Sequence, residues 1–264
     1  MKNILVPVGH SKNIESHLQY AVDFAHAFGA RLYVVQVYGM RVKSGTLGKT
    51  DDVLERESLS YLNNLLAKIE TKEVDIVVKS FKGKLIPTLE LICKTADVDL
   101  MLVEPRSNAI KEAVFLGKIS GKIIKKTNIP SLIVPESYVF KPMTNVLVAV
   151  KSAIIKKEQA LVPLKQIQNQ FKAVVNLLLV KTPFFKEGDF KVHSSLSSLI
   201  TETVFTENPT TFHGVLQHCN SHEPDLLCVF RRKRGFFAKM WEKNVILKKD
   251  FYSPFPVLVL KGVK

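Results

Sequence analysis

Asn3-Ile4-Leu5-Val6-Pro7-Val8 returns near the middle of the chain as Asn145-Val146-Leu147-Val148-Ala149-Val150, an offset of 142 (145 − 3). Such a repeat decides the fold, because two copies of a segment imply two copies of the unit built on it. Leu32-Tyr33-Val34-Val35-Gln36-Val37 matches Val175-Asn176-Leu177-Leu178-Leu179-Val180 at offset 143. Asp99-Leu100-Met101-Leu102-Val103 matches Asp225-Leu226-Leu227-Cys228-Val229, and Ile129-Pro130-Ser131-Leu132-Ile133-Val134 matches Phe255-Pro256-Val257-Leu258-Val259-Leu260, both at offset 126. Four segments in one order place two like domains at 1–137 and 144–264, with Ser137 to Thr144 as the linker. The fall from 143 to 126 makes the second copy 17 residues shorter between Val180 and Asp225. There the first copy holds the polar loop Tyr38 to Asp52, with Gly39, Ser44, Gly45 and Gly48, and a helix after it.

Each copy alternates short apolar runs with amphipathic stretches. In the first, Ile4–Val8, Leu32–Val37, Val74–Val78, Leu100–Val103 and Leu132–Val134 read as strands. Helices are expected around 14–28, 52–69, 86–94 and 110–126. Ile14, Leu18, Ala21, Ala25 and Phe28 share one face of the first helix, Gly29 stops it and Ser11 is a candidate N-cap. Strands alternating with helices imply parallel pairing through right-handed crossovers. Nearly continuous Val, Ile and Leu imply strands covered on both faces. The expected fold is therefore α/β: two tandem Rossmann-like domains, each a five-stranded, mostly parallel sheet with helices on both faces. Ligands of such sheets bind beyond the carboxyl ends of the strands, which points to the residues following Val8, Val37 and Val103 and following Val150, Val180 and Val229.

Composition narrows the class. Hydrophobic residues make up 46% and charged residues 23%, enough apolar material for sizeable cores. No run reaches the ~18 apolar residues of a membrane-spanning helix, and Met1–Val6 enters a strand-like run rather than a secretory signal. Cys93, Cys219 and Cys228 have no paired spacing and read as reduced thiols, which suits a cytoplasmic protein. The net charge of +14 favours anionic partners, but lysines spread along the whole chain read more readily as a solvated surface.

Strand Asn3–Val8, strand Leu32–Val37, Asp99–Val103, Leu116-Gly117 and Asn128-Ile129-Pro130-Ser131-Leu132-Ile133-Val134 together resemble the universal stress protein family, and the resemblance extends over each half. It implies a tandem member, the adenine nucleotide alpha hydrolase-like fold and a stress-response role. It also implies an internal pseudo-dimer in which Leu132–Val134 and Val257–Leu260 pair, because members commonly dimerise through the last strand. Nucleotide-binding members carry an acidic residue after the first strand. After the fourth they carry Gly-x-x-Gly, nine residues, then Gly-Ser/Thr. Glycines there let backbone N–H groups close around phosphates at a helix start.

This chain departs from that pattern. The acidic position is Gly9 in the first copy and Lys151 in the second. The paired glycines become Glu104 and Ser107, then Phe230 and Lys233. The last pair becomes Gly117-Lys118, with Ser120 nearby, and Lys243-Asn244. Arg231, Arg232 and Lys233 offer an anion side chains rather than a main-chain cradle. The candidate pocket residues are thus Val8, Gly9, His10, Val37, Glu104, Ser107, Gly117, Lys118 and Ser120 in the first copy. In the second they are Lys151, Arg231, Arg232, Lys233, Lys243 and Asn244.

The reading this favours is a binding or signalling protein with a degenerate nucleotide site, more a binder than an enzyme and not a tight ATP binder. A rival is an ATP-binding, slowly hydrolysing member with Gly117, Lys118 and Ser120 on the phosphates. A third is nonspecific nucleic-acid binding through the basic surface, disfavoured because the charge is dispersed. A small anionic ligand and a homodimer are left open as partners; a membrane is not expected. No catalytic residue is assigned, because nucleophile-elbow, Walker and His-Glu-x-x-His motifs are missing. His218, Cys219 and His222 have metal-like spacing, but they align with Ile92, Cys93 and Ala96 of an ordinary helix end, so no metal is expected. Phe236, Phe237, Met240 and Trp241 read as a buried helical face.

Overall fold

The computed structural model describes residues 1–39, 51–105, 114–155, 157–231, 246–247 and 252–261. The first half runs β1 (Asn3–Pro7), α1 (Ile14–Phe28), β2 (Arg31–Tyr38), α2 (Asp51–Leu66), β3 (Ile76–Lys82), α3 (Leu85–Thr95), β4 (Leu100–Val103), β5 (Val114–Leu116), α4 (Lys118–Lys126) and β6 (Ser131–Ile133). The second runs β7 (Asn145–Val150), a 3-10 turn (Glu158–Leu161), α5 (Val162–Phe171), β8 (Val174–Lys181), α6 (Ser194–Ser197), β9 (Glu202–Glu207), α7 (Thr211–His222), β10 (Leu226–Arg231), β11 (Ile246–Leu247) and β12 (Val257–Lys261).

Among the described residues ten strands form one sheet in the order β3-β2-β1-β4-β6-β12-β10-β7-β8-β9. Each half contributes five strands, parallel within the half. The halves meet where β6 and β12 pair antiparallel, with Leu132 opposite Leu258. A second antiparallel ribbon joins β5 to β11. Register within each half is held by a repeated device. Asp99 Oδ2 accepts the N–H groups of Lys2 (2.6 Å) and Asn3 (3.1 Å), and Asp225 Oδ2 accepts those of Thr144 and Asn145 (both 3.0 Å). The carboxylate before the fourth strand thus ties down the start of the first.

Both sheet faces are covered. Ile4, Val6, Leu32 and Val34 pack with α1 and with Leu62 and Leu65 of α2, in a cluster that continues into Val146, Val148 and Leu177. Leu5, Met101 and Ile133 face α3 and α4 in the other cluster, which continues into Leu147, Leu178 and Val257. Each such side chain removed from water contributes about 1.5–3 kcal/mol. An aromatic seam locks α1 to α5. Phe28 meets Phe171 edge-on at 5.4 Å, Phe140 meets both Tyr20 and Phe24, and Gln170 Nε2 donates to the Ala27 carbonyl at 2.6 Å.

Three local expectations change. The helix expected over 110–126 begins only at Lys118, because Val114–Leu116 is a strand paired with the other half; residues 110–113 lie outside the described residues. The strand expected at Val74–Val78 is shifted to Ile76–Lys82, since Lys72 and Glu73 take left-handed φ of 50° and 58° and the turn consumes Val74. Ser11 is not the N-cap of α1. Asn13 occupies that place, and the Ser11 hydroxyl is committed elsewhere. Gly29 ends α1 at φ 57°, a conformation that glycine adopts without strain. The missing stretch of the second half is the long helix: between β8 and β9 stands only α6, of four residues, where α2 has sixteen.

Candidate functional site

Glu104 follows β4 directly and is the centre of a polar cluster at the strand tips of the first half. Its carboxylate accepts the Ser11 hydroxyl from the loop after β1. Its main-chain carbonyl accepts Ser120 Oγ of the first turn of α4 at 2.5 Å. Gly117, just before α4, donates its N–H to the Pro105 carbonyl at 2.7 Å. Burial pushes the Glu104 carboxyl up to about 7; nearby Glu136 adds to this, and the Ser11 hydrogen bond opposes it. Glu104 therefore changes charge near neutrality, as an acid does when desolvation outweighs its stabilising hydrogen bonds.

A second polar chain runs beneath α2. Ser80 of β3 donates to Ser58 of α2 at 2.6 Å, and Ser58 donates to Gln36 Oε1 of β2 at 2.6 Å. Gln36 Nε2 lies 3.4 Å from His10 Nε2. An amide nitrogen only donates, so His10 accepts there and carries its proton on Nδ1. Gln36 and Ser58 are buried, whereas His10 is exposed. Tyr61 of α2 closes the cluster: its hydroxyl donates to the Gly9 carbonyl at 3.0 Å, and its ring lies 4.7 Å from that of His10. Burial, then Glu104 and Glu15, raise the Tyr61 hydroxyl above its ordinary value, against the opposing effect of Lys68.

The structure therefore gathers Gly9, His10, Glu104, Gly117 and Ser120 at one end of the sheet. Val8 is buried, its N–H donating to Val35 at 2.7 Å. Val37 is half-buried in β2, and Lys118 is exposed at the start of α4. Sequence reading missed Gln36, Ser58, Ser80 and Tyr61. Gln36 alone carried a signal, a polar residue inside an otherwise apolar strand run.

The second half gathers a different polar set from the segments after β7 and β8: Ser195 Oγ donates to Glu158 and lies 3.0 Å from His193 Nδ1. Lys151 lies with its Nζ 5.7 Å from the centre of the Phe184 ring, a cation–π contact. Arg231 turns across to the first half, donating to the Lys125 carbonyl and, at 3.3 Å, to Asn128 Oδ1. Buried Lys261, beside it in the register of β10 and β12, donates to the Ile124 carbonyl. Both side chains thus serve the C-terminal end of α4, where carbonyls lack helical partners. Ser107, Arg232, Lys233, Lys243 and Asn244, with the aromatic run Phe236 to Trp241, lie outside the described residues.

His218 and His222 stack at 3.9 Å, and among the described residues no group of three or more His, Cys, Asp or Glu could hold a metal. Cys93 and Cys219 are buried, and burial pushes both thiols up to about 12. No helix among the described residues is long and apolar enough to cross a membrane.

With strand order 3-2-1-4-5 in each half and a polar cluster at the strand tips, the chain can be set beside known proteins. The sequence profile of the universal stress protein family matches residues 1–135. The chain belongs to the universal stress protein family. Among solved structures, a universal stress protein from Archaeoglobus fulgidus is similar over 98% of this chain and 96% of its own, at 17% identity and a TM-score of 0.68. A functionally unknown protein from Pseudomonas aeruginosa is similar over 99% of this chain and 93% of its own, at 14% identity and a TM-score of 0.62. At these identities the likeness is one of fold, and it spans both halves of this tandem universal stress protein. Among curated proteins no relative matches.

Proposed function

We propose that this universal stress protein acts in the stress response by binding, through a first-half site that no longer holds a nucleoside triphosphate tightly. The observation that carries this reading is the Glu104 carboxyl, held by Ser11 beside the start of α4. A helix start is where phosphates are favoured. Above pH 7, where Glu104 is charged, its carboxylate repels an anion there by a few kcal/mol at contact distance, to order of magnitude. Gly9 offers no carboxylate to a base or ribose. In the second half Arg231 is engaged with α4, which supports a site with little affinity for an anion.

Thermal unfolding with millimolar magnesium ATP tests this. The wild-type midpoint is expected to move by less than about 1 °C, because stabilisation by a ligand grows only as the logarithm of its concentration over Kd. Glu104→Gly is expected to bring a measurable rise. A wild-type rise of several degrees that Gly117→Trp abolishes would instead establish a nucleotide-binding member and remove this reading.

A further inference from the structure

His218 and His222 stand one turn apart at the C-terminal end of α7, their rings parallel to within 7° and 3.9 Å apart between centres. His218 is half-buried and His222 exposed, so both rings are open to solvent. The matching residues of the first half are Ile92 and Ala96, so the fold itself calls for imidazole at neither place. The His222 ring is oriented: its Nδ1 lies 3.1 Å from the His218 carbonyl. A carbonyl only accepts, so the proton is on Nδ1 and the lone pair is left on Nε2. Metal-binding histidines are held in this way, the other ring nitrogen donating to a carbonyl or a carboxylate. Burial first, and then His222, lowers the pKa of His218 against the opposing effect of Glu202, which favours the neutral ring that can act as a ligand.

We propose that His218 and His222 chelate a divalent transition metal, copper(II) most tightly. Histidines at i and i+4 share one face of a helix, the spacing with which helices bind zinc. Two nitrogens on one ion, each at about 2.0 Å, stand at most about 4 Å apart, and the two rings already lie at that separation. Imidazole suits copper, nickel and zinc, and copper(II) heads the order of affinity. The surroundings favour a cation although the whole chain carries +14. The C-terminal end of a helix concentrates partial negative charge. Exposed Glu223 follows His222, and the charge of Glu202 acts on His218. With two protein ligands rather than three among the described residues, the other coordination positions fall to water, so the site binds an ion without enclosing it.

Titration of the full chain with copper(II) alone, followed by calorimetry and electron paramagnetic resonance, tests the proposal. The tightest-bound ion in the wild type is expected to show coupling to two imidazole nitrogens, a readout that needs no variant. His218→Ala and His222→Ala are each expected to weaken that binding at least about tenfold, since even the outer partners of a metal ligand are worth about 10–100-fold. The double variant is expected to bind no more weakly than either single one, because a chelate is lost when one arm goes. His213→Ala removes an exposed histidine of the same helix outside the pair and is expected to bind as the wild type does. A wild-type spectrum without the two nitrogens overturns the proposal, and so does undiminished affinity in His218→Ala or His222→Ala. A loss in His213→Ala as large as in His222→Ala would place copper on scattered histidines and overturn it too.

Discussion

At one place in the register the two halves make opposite choices. Gln36 of β2 stands beside Ser80 of β3, whereas the matching positions of β8 and β9 are Leu179 and Phe205. The first pair is covered by α2, which supplies Ser58 as donor to Gln36 and acceptor from Ser80. The second half has only the short α6 between these strands, so no such hydroxyl arrives. A buried amide without partners costs about 1–3 kcal/mol, and the apolar pair avoids that cost. The comparison teaches that losing the long helix and losing the polar chain are one change. The polar cluster leading to His10 and Glu104 exists only where α2 can complete it.

Exchanging the residues breaks the comparison most severely in the second half. Leu179→Gln loses the burial of a fully buried leucine and leaves an amide unpaired, so a loss of about 3–5 kcal/mol is expected in urea unfolding. The reciprocal Gln36→Leu leaves Ser58 without its acceptor and His10 without its donor, but His10 is exposed to water, so the cost should be about 1 kcal/mol. Equal losses in the two halves would show that α2 is not what licenses the polar pair. A smaller effect, dependent on pH, comes from Glu104. Its folded carboxyl titrates near 7, above its ordinary 4.5, so the folded state binds the proton more tightly than the unfolded chain. Stability from this group is therefore greatest below the unfolded value, falls as pH rises towards 7, and stays low above it. Glu104→Gln should raise stability at pH 8 by at most about 3 kcal/mol and flatten the dependence between about pH 4.5 and 7. A profile that keeps the wild-type slope in the variant would exclude Glu104 as its source.

Much of this architecture is legible in sequence because it is local or repeated. The strand runs, the glycine that ends α1, the shortening between β8 and β10 and the aspartates before β4 and β10 all follow from short segments read against their own copies. The ribbon of β5 and β11 is not legible, since Val114–Leu116 becomes a strand only by pairing with Ile246–Leu247, far away in the chain. Arg231 reads as an anion ligand from its basic neighbours, but its direction is set by the free carbonyls of α4 in the other half. The site was half legible: strand tips gave Gly9, His10 and Glu104. Ser58 and Tyr61 lie on α2, outside any motif, and only the contrast between Gln36 and Leu179 hinted that something polar must cover the first half.

The smallest expected effect bears on how that polar chain orients His10. Ser58→Ala removes the donor to Gln36 Oε1 and the acceptor for Ser80 together. The stability cost should be about 1 kcal/mol, the usual net value of such hydrogen bonds, because water can reach half-buried Ser80. The more telling change is at the imidazole. With Ser58 in place, the Gln36 amide oxygen faces the hydroxyl and its nitrogen faces His10, which holds the His10 proton on Nδ1. Without Ser58 the amide is free to turn over, and a carbonyl oxygen facing Nε2 favours the other tautomer. Nitrogen-15 chemical shifts of His10 should therefore move from an Nδ1-protonated pattern towards a mixture in Ser58→Ala. Identical shifts in the two proteins would mean that His10 is set by its contact with Tyr61 alone, and the chain beneath α2 would then be a packing feature with no bearing on the site.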